Sequence, residues 1–383
     1  MIGSPKMGAM YDIAFAGAGL AGLSLAVRLA ALPHPPRMVL IDPLRHRPRD
    51  RTWCHWQLHE HPFTAAVTHS WQSWMIRTSR QMAVTRHSPH PYTRIPSDLF
   101  YEMAYEKLAA SPHVDFLEGV SVATITTHAD HAALQLTDGS MIRAAWAFDS
   151  RPSHAGQAPW RQIFRGLELH SSAANLDTSV VTLMDFISAD KYGIRFFYVL
   201  PLDSHTALVE DTWLIPTGHT PRQDDKLIID YARKNLAPVE WCIRHREQGD
   251  LPMGLKLPKI PTQKYPSRIF PWGIPGGAVR ASSGYAFSRI QRTSERMTAA
   301  WLKNGCPDIA VLRESPVLGK MDHIFLNAMA RHPHRVPEFF TRLFDRMPPD
   351  ALVRFMESEP NANDLWKIMR ALPAAPFLAA AIR

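Results

Sequence analysis

The stretch "YDIAFAGAGLAGLSLAVRLAALP", residues 11–33, decides the fold. A short apolar run from Tyr11 to Ala16 reads as a buried strand, and an Ala/Leu-rich run at helical spacing follows it until Pro33 ends the helix. Between them lie Gly17, Ala18, Gly19, Leu20, Ala21 and Gly22. Gly17 permits the tight turn, Gly19 lets the backbone approach a diphosphate, and Gly22 allows the helix to pack closely on the strand. The helix N-terminus contributes free N–H groups and the positive end of its dipole. A second apolar run, "RMVLID" at 37–42, ends in Asp42, 20 residues beyond Gly22. Strand, helix and acid are thus in the register of a dinucleotide-binding βαβ unit. An acid at that position suits ribose hydroxyls and repels a 2′-phosphate, so FAD or NAD is expected rather than NADP. FAD is preferred over NAD by analogy with large flavoproteins, which carry this fingerprint near the N-terminus and scatter their other strands along the chain.

The chain of 383 residues is long enough for two regions, and 46% hydrophobic with 20% charged residues is ordinary globular composition. The net charge of +8 favours anionic partners. No Lys/Arg-rich run with interleaved aromatics occurs, so a membrane surface is the expected anionic partner and nucleic acid is not. Cys54, Cys242 and Cys306 are odd in number and widely spaced, which suits a reduced cytoplasmic protein. His55, His59 and His61 match no strong ligand motif, and no metal site is expected. The uncharged run from Ile13 to Val27 is broken by glycines and shorter than the ~20 residues that cross a bilayer, so neither a spanning segment nor an export signal is read there.

From Arg49 to Arg94 the sequence reads as loops and short strands, followed by a helix with Ser97 at its N-cap. A hairpin is expected to turn at Asp138-Gly139 and lead into a strand ending at Asp149. From Trp160 to Trp213 alternating apolar residues predict a separate antiparallel sheet, and the chain beyond Cys306 is helical by pattern, with basic faces. The expected architecture is α/β: a Rossmann-type FAD-binding domain from 10–60, 95–155 and 265–305, a β-rich antiparallel substrate domain from 61–94 and 156–264, and a helical, membrane-facing region over 306–383. Nothing in the sequence sets an oligomeric state.

These residues resemble a known family, the bacterial FAD-dependent lycopene β-cyclases of the lycopene cyclase family. The resemblance covers nearly the whole chain and rests on "AGAGLAGLSLAVRL", "RDRTWCHW" at 49–56, "AFDS" at 147–150, "TLMDF" at 182–186, "RFFYVLPL" at 195–202 and "ALVEDT" at 207–212. It continues through "PGGAVRASSGYAFSRIQ" at 275–291 and the tail "DLWKIMRALPAAPFLAA". Two departures stand out: Arg280-Ala281 where one branch has His-Pro, and Pro152 where a glycine often closes the motif. The resemblance implies a flavoprotein monooxygenase-like fold that binds FAD and works with its reduced form, with NAD(P)H as a source of electrons. It implies lycopene or a similar carotenoid as substrate and peripheral association with the inner face of the cell membrane. Cofactor contacts are expected at Gly17, Ala18, Gly19, Leu20, Ala21, Gly22, Asp42, Asp149, Gly276 and Gly277.

Cyclising a polyene requires a proton on a terminal double bond, a tertiary cation attacked by the next double bond, and loss of a proton. An alkene is a very weak base, so the donor must be a carboxylic acid kept protonated in an apolar cavity. Glu210, in the family's E-D-T position, is the expected acid. Asp211, its neighbour on a strand, points to the opposite face. Asp185 is expected as a proton relay or as the base for the final deprotonation, with a hydrogen-bonded structural aspartate as the alternative. Trp53, Phe196, Phe197, Tyr198, Trp213 and Tyr285 are expected to line the substrate cavity, where π-faces stabilise a cation. The rivals are an FAD-dependent polyene or terpenoid hydroxylase or reductase, a cyclase of another terpenoid, and a carotenoid-binding protein without catalysis.

Overall fold

The computed structural model describes residues 10–44, 48–152, 158–255 and 267–382. Strand β1 (Met10–Ala16) passes through helix α1 (Leu20–Ala30) into β2 (Met38–Asp42). Five short strands follow: β3 (Thr52–Trp56), β4 (His69–Trp71), β5 (Trp74–Arg77), β6 (Met82–Thr85) and β7 (Tyr92–Pro96). Helix α2 (Ser97–Ala109) leads to β8 (Val114–Glu118), β9 (Val122–Thr127), β10 (Ala132–Leu136) and β11 (Met141–Asp149). Long strands β12 (Trp160–His170), β13 (Val181–Asp190), β14 (Gly193–Asp203) and β15 (Thr206–Pro216) precede α3 (Asp225–Asn235), β16 (Cys242–Met253) and β17 (Ile269–Pro271). The chain ends in α4 (Phe287–Asn304), α5 (Pro316–Arg331), α6 (Val336–Arg346), α7 (Pro349–Met356), α8 (Ala362–Ala371) and α9 (Ala374–Ala381).

The expected Rossmann-type architecture is present. One sheet runs β8-β2-β1-β11-β10-β9, with β17 added along β11. Its core strands β8, β2, β1 and β11 are mutually parallel, and β1 and β2 are almost wholly buried, as strands covered on both faces must be. The hairpin from β10 to β11 turns at Gly139, whose φ of 88° a side chain would strain. Ser97 is corrected from N-cap to first helical residue. Its hydroxyl accepts from the Asp50 and Arg51 amides, so the cap role is lost to a loop contact.

The second large sheet, β16-β12-β15-β14-β13-β5-β6, is antiparallel except where β13 runs parallel to β5. Alternation divides its residues between two faces. Leu167, Phe197, Val199 and Val209 pack under Ile228 and Tyr231 of α3. Phe196, Tyr198, Leu200 and Leu208 face the other way, toward the C-terminal helices and the small sheet β3-β7-β4. The expected domain limits near 155 and 264 fall outside the described residues.

Helix α6 shows why the C-terminal part folds onto this sheet. Val336, Phe339, Phe340, Leu343 and Phe344 are buried and recur at i, i+3, i+4, i+7 and i+8, forming one apolar stripe. Phe339 is wholly buried and packs edge-on against Phe377 at 5.0 Å between ring centroids. Phe339→Ala is expected to destabilise the fold by about 3–5 kcal/mol, because both transfer and cavity terms are lost. Denaturant unfolding checks this through a lower midpoint at unchanged m-value.

Candidate active site

The glycines of the fingerprint divide their work by what a side chain would meet. A Cβ on Gly22 would lie 2.3 Å from the Gly17 carbonyl oxygen, so α1 packs on the turn only because Gly22 has none. Gly17 has φ of +106°, and its Cβ would fall 2.7 Å from Ser150 Oγ. Gly19, the N-cap of α1, would meet nothing within 4 Å, which leaves its backbone open to a ligand. Asp42 is buried at the end of β2 and accepts hydrogen bonds from the Ala18 amide at 2.8 Å and the Leu44 amide at 3.0 Å.

A cavity of about 940 Å³ opens at this turn, where Gly17, Gly19, Leu20, Ala21 and Asp42 line it. It extends past Trp53, Tyr101 and Phe287 to Tyr92, Tyr198, Tyr285 and Glu210. The open backbone of Gly19, the positive end of α1 and the buried acid on β2 fit the diphosphate and ribose of a flavin dinucleotide. The opposite end of the cavity is aromatic around one carboxyl group.

Register explains that carboxyl. Glu210 on β15 stands beside Tyr198 of β14 on one side and Gly166 of β12 on the other. Gly166 in turn stands beside Glu247 of β16. A Cβ on Gly166 would lie 2.9 Å from Glu247 Cγ and 3.1 Å from Glu210 Cγ, so the missing side chain is the space in which two carboxyl groups from non-adjacent strands meet. Glu247 is buried, and its Oε2 accepts from Thr52 Oγ1 at 2.9 Å. Glu210 is half-buried and lines the cavity. Burial pushes it well above its ordinary value of 4.5, and the charge of Glu247 and the hydrogen bond to it push the same way, against the weaker pull of Arg94. The arrangement keeps an acid protonated beside aromatic side chains.

The pattern of a lycopene cyclase protein matches residues 12–382 of the chain. The chain belongs to the lycopene cyclase family. It is 27% identical over 390 residues to the lycopene β-cyclase of Pantoea ananas, covering 97% of each chain. It is 26% identical to the lycopene β-cyclase of Pseudescherichia vulneris, covering 88% of this chain and 82% of that one. Among solved structures it is similar to a flavoprotein/dehydrogenase from Cytophaga hutchinsonii, with a TM-score of 0.64, 11% identity and coverage of 95% and 96%. That likeness carries the fold.

Of the aromatic residues expected at a cyclase cavity, Trp53, Tyr198 and Tyr285 line it, and the structure places the others elsewhere. Phe197 lies on the opposite sheet face, stacked on Tyr231 at 3.9 Å, and Trp213 stands beside Arg195 on that face. Phe196 shares the face of Tyr198 but is buried in the core against Phe186. Among the expected cofactor contacts, Ala18 and Gly22 support the turn from behind the cavity wall. Asp149 is held by Arg151 at 2.7 Å. Gly276 and Gly277 line a separate cavity of about 310 Å³. Pro152 lies in the wall of the main cavity beside Arg151.

Asp185 is the main correction. It shares the α3-covered face with Asp211, where Arg77 at 2.7 Å and the Tyr231 hydroxyl at 2.7 Å hold it. It reaches neither the cavity nor Glu210, so the structural alternative fits it. Asp211 faces away from Glu210 as alternation requires, wholly buried and bidentate with Arg195 at 2.8 and 3.0 Å. Arg280, the departure from the His-Pro branch, is buried away from the cavity in an ion pair with Asp322. Its amide donates to the Tyr285 carbonyl at 2.9 Å and so anchors the loop that carries Tyr285. Sequence reasoning missed Glu247, Gly166, Thr52 and Tyr92, because pairing among β3, β7, β12, β15 and β16 is what gathers them.

The raised Glu210 pKa has a sign for stability. A carboxyl whose folded pKa exceeds the unfolded one contributes stability below the unfolded value and loses it as pH rises toward the folded value. Glu210→Gln has no such loss, so its Tm relative to wild type should climb as pH rises above about 4.5. A Tm difference that stays flat with pH in scanning calorimetry would count against a neutral Glu210. Asp211→Ala is expected to destabilise by about 1–3 kcal/mol near neutral pH, because it leaves the half-buried Arg195 guanidinium without its carboxylate partner; chemical unfolding checks this.

Proposed function

We propose that this protein is a lycopene β-cyclase that converts the linear ends of lycopene to β-rings without net redox change. Glu210 carries the reading: it is a carboxyl group kept protonated at the aromatic end of a cavity that begins at a dinucleotide fingerprint. The Glu210 O–H bond breaks as a C–H bond forms at the terminal double bond. The adjacent carbon becomes a tertiary cation, the next double bond closes the ring onto it, and loss of one ring proton leaves the new double bond. One proton enters and one leaves, so substrate and product are isomers.

The chain's part is to hold the acid, exclude water and face the cation with electron-rich surfaces. Tyr92, Tyr198 and Tyr285 supply π-faces at the Glu210 end of the cavity, and Trp53 lines it nearer the fingerprint. A dry cavity prevents capture of the cation by water. Gly17, Gly19, Leu20, Ala21 and Asp42 would hold FAD, which when bound and reduced supplies negative charge near the developing cation. NAD(P)H is the proposed source of its electrons.

Among the described residues no helix is long and apolar enough to cross a membrane. Helices α8 and α9 expose Trp366, Met369 and Leu378, Ile382 is exposed just after α9, and exposed Arg370 and half-buried Lys367 lie among them. That mixture of apolar and basic side chains suits insertion at an anionic lipid surface, from which an apolar polyene would be drawn. Peripheral association with the inner face of the membrane follows.

An anaerobic assay with lycopene in liposomes and chemically reduced FAD tests the reading. Wild type should yield cyclised product, and in heavy water each new ring should carry deuterium. Glu210→Gln is expected to lose about 10²-fold or more in kcat, as for removal of a general acid. Gly22→Ala should release the flavin, read by recovery of its free fluorescence, since the new methyl meets backbone at 2.3 Å. Full activity in Glu210→Gln, or stoichiometric NAD(P)H consumption per product, would overturn the cyclase reading in favour of a hydroxylase or reductase.

A further inference from the structure

Glu247 does not line the cavity, yet its carboxyl approaches that of the acid across Gly166. Its Oε2 is satisfied by Thr52. Its Oε1 is buried, and with Glu210 drawn as a carboxylate no donor reaches it. Two ionised carboxylates have no hydrogen to share, so contact between these groups requires a proton on at least one of them. Thr52 itself lies in the cavity wall, and β12 offers only Gly166 between the two acids.

We propose that Glu210 and Glu247 form one proton-holding unit across Gly166, in which Glu247 is a positioning residue that accepts a hydrogen bond from the Glu210 acid and keeps its proton beside the cavity. The proposal rests on Glu210 being the acid of the reaction and adds how that acid stays charged with a proton and recovers one. When Glu210 gives up its proton, two carboxylates are left side by side in a buried place. Like-charge repulsion then makes the pair a base, and the proton lost from the new ring restores the O–H bond.

Other groups face the pair. Arg94 of β7 is buried and turned toward Glu168, which together with Thr68 takes its guanidinium hydrogen bonds. Cys54 of β3, Tyr198 of β14 and His245 of β16 complete the shell, with Arg49 beyond them. Burial holds the Cys54 thiol and the Tyr198 hydroxyl neutral and lowers His245. Among the described residues Arg94 is the near cation; its two terminal nitrogens donate to Thr68 and Glu168, and its pull on Glu210 is weaker than the opposing push of burial and Glu247.

Glu247→Gln separates this role from a packing role. The amide has nearly the same shape but donates an N–H to Glu210, which stabilises the ionised carboxylate where Glu247 disfavours it. The alkaline limb of the kcat profile should move to lower pH by about one unit or more, so that activity at a given pH on that limb falls about tenfold and returns on acidification. A profile that overlays wild type would overturn the proposal.

Infrared titration of the flavin-loaded protein gives a readout that needs no turnover. Wild type should show a carboxylic-acid carbonyl band persisting above neutral pH, absent from Glu210→Gln and displaced to lower pH in Glu247→Gln. If Glu247→Gln does not fold, the difference between wild type and Glu210→Gln decides, because Glu357, pushed up to about 7, adds a band common to both; no difference above neutral pH refutes the shared proton. Conversion of lycopene without that band defeats the pair but spares the cyclase reading. The band without conversion does the reverse.

Discussion

The site depends on one carboxyl group, Glu210, that burial and a second acid both push toward its neutral form. Desolvation alone raises such a group's pKa, but a lone acid in an apolar site has no fixed direction for its proton. The antiparallel register supplies both requirements. It sets Tyr198, Glu210, Gly166 and Glu247 in one row across four neighbouring strands. The second acid disfavours ionisation of the first, and the glycine gives the two groups their meeting place. A larger residue at 166 would drive the carboxyl groups apart, and a strand slipped by one position would turn Glu210 to the face under α3.

The fold handles its other buried acids differently. Asp211 is adjacent to Glu210 in sequence and wholly buried, yet its charge is matched bidentately by Arg195. Asp185 is matched by Arg77 and Tyr231. Asp322 is matched by Arg280 and by Ser282, whose hydroxyl donates at 2.7 Å. Breaking such pairs leaves a stranded charge, so they are held by energetics of folding. Glu210 differs in meeting another acid instead of a base, and that is the pattern expected where a perturbed pKa serves chemistry.

Local patterns made much of this legible. The fingerprint from Gly17 to Gly22 and the acid at Asp42 follow from a βαβ unit, whose parts are close in sequence and whose geometry is fixed by backbone sterics. The strand alternation that separates Glu210 from Asp211 is equally local. What the sequence could not show is which distant strands lie side by side. Asp185 sits on β13, where register shifts on both sides of it interrupt pairing with β14, so counting along the strand misleads about its face. Glu247 lies in "REQGD", a run that reads as an exposed polar strand until β12 is placed between it and Glu210. Phe197 and Trp213 lie near Glu210 in sequence, but alternation sends them to the other face.

The aromatic wall needs support, since a side chain that stabilises a cation must not move away as charge develops. Two buried polar ties supply it from the C-terminal helices. Arg280 joins the Tyr285 loop to Asp322 of α5 and lies over the Phe355 ring of α7 at 4.2 Å. Glu357, pushed up to about 7 by burial, accepts from the Trp56 amide at 2.9 Å and so joins β3 to the end of α7. Trp56 in turn packs edge-on against Tyr92 and Tyr285, whose hydroxyls hydrogen-bond to each other at 3.1 Å. The rings of the cavity are therefore held from behind by α5 and α7, which share one packed core with the strands that carry the rings.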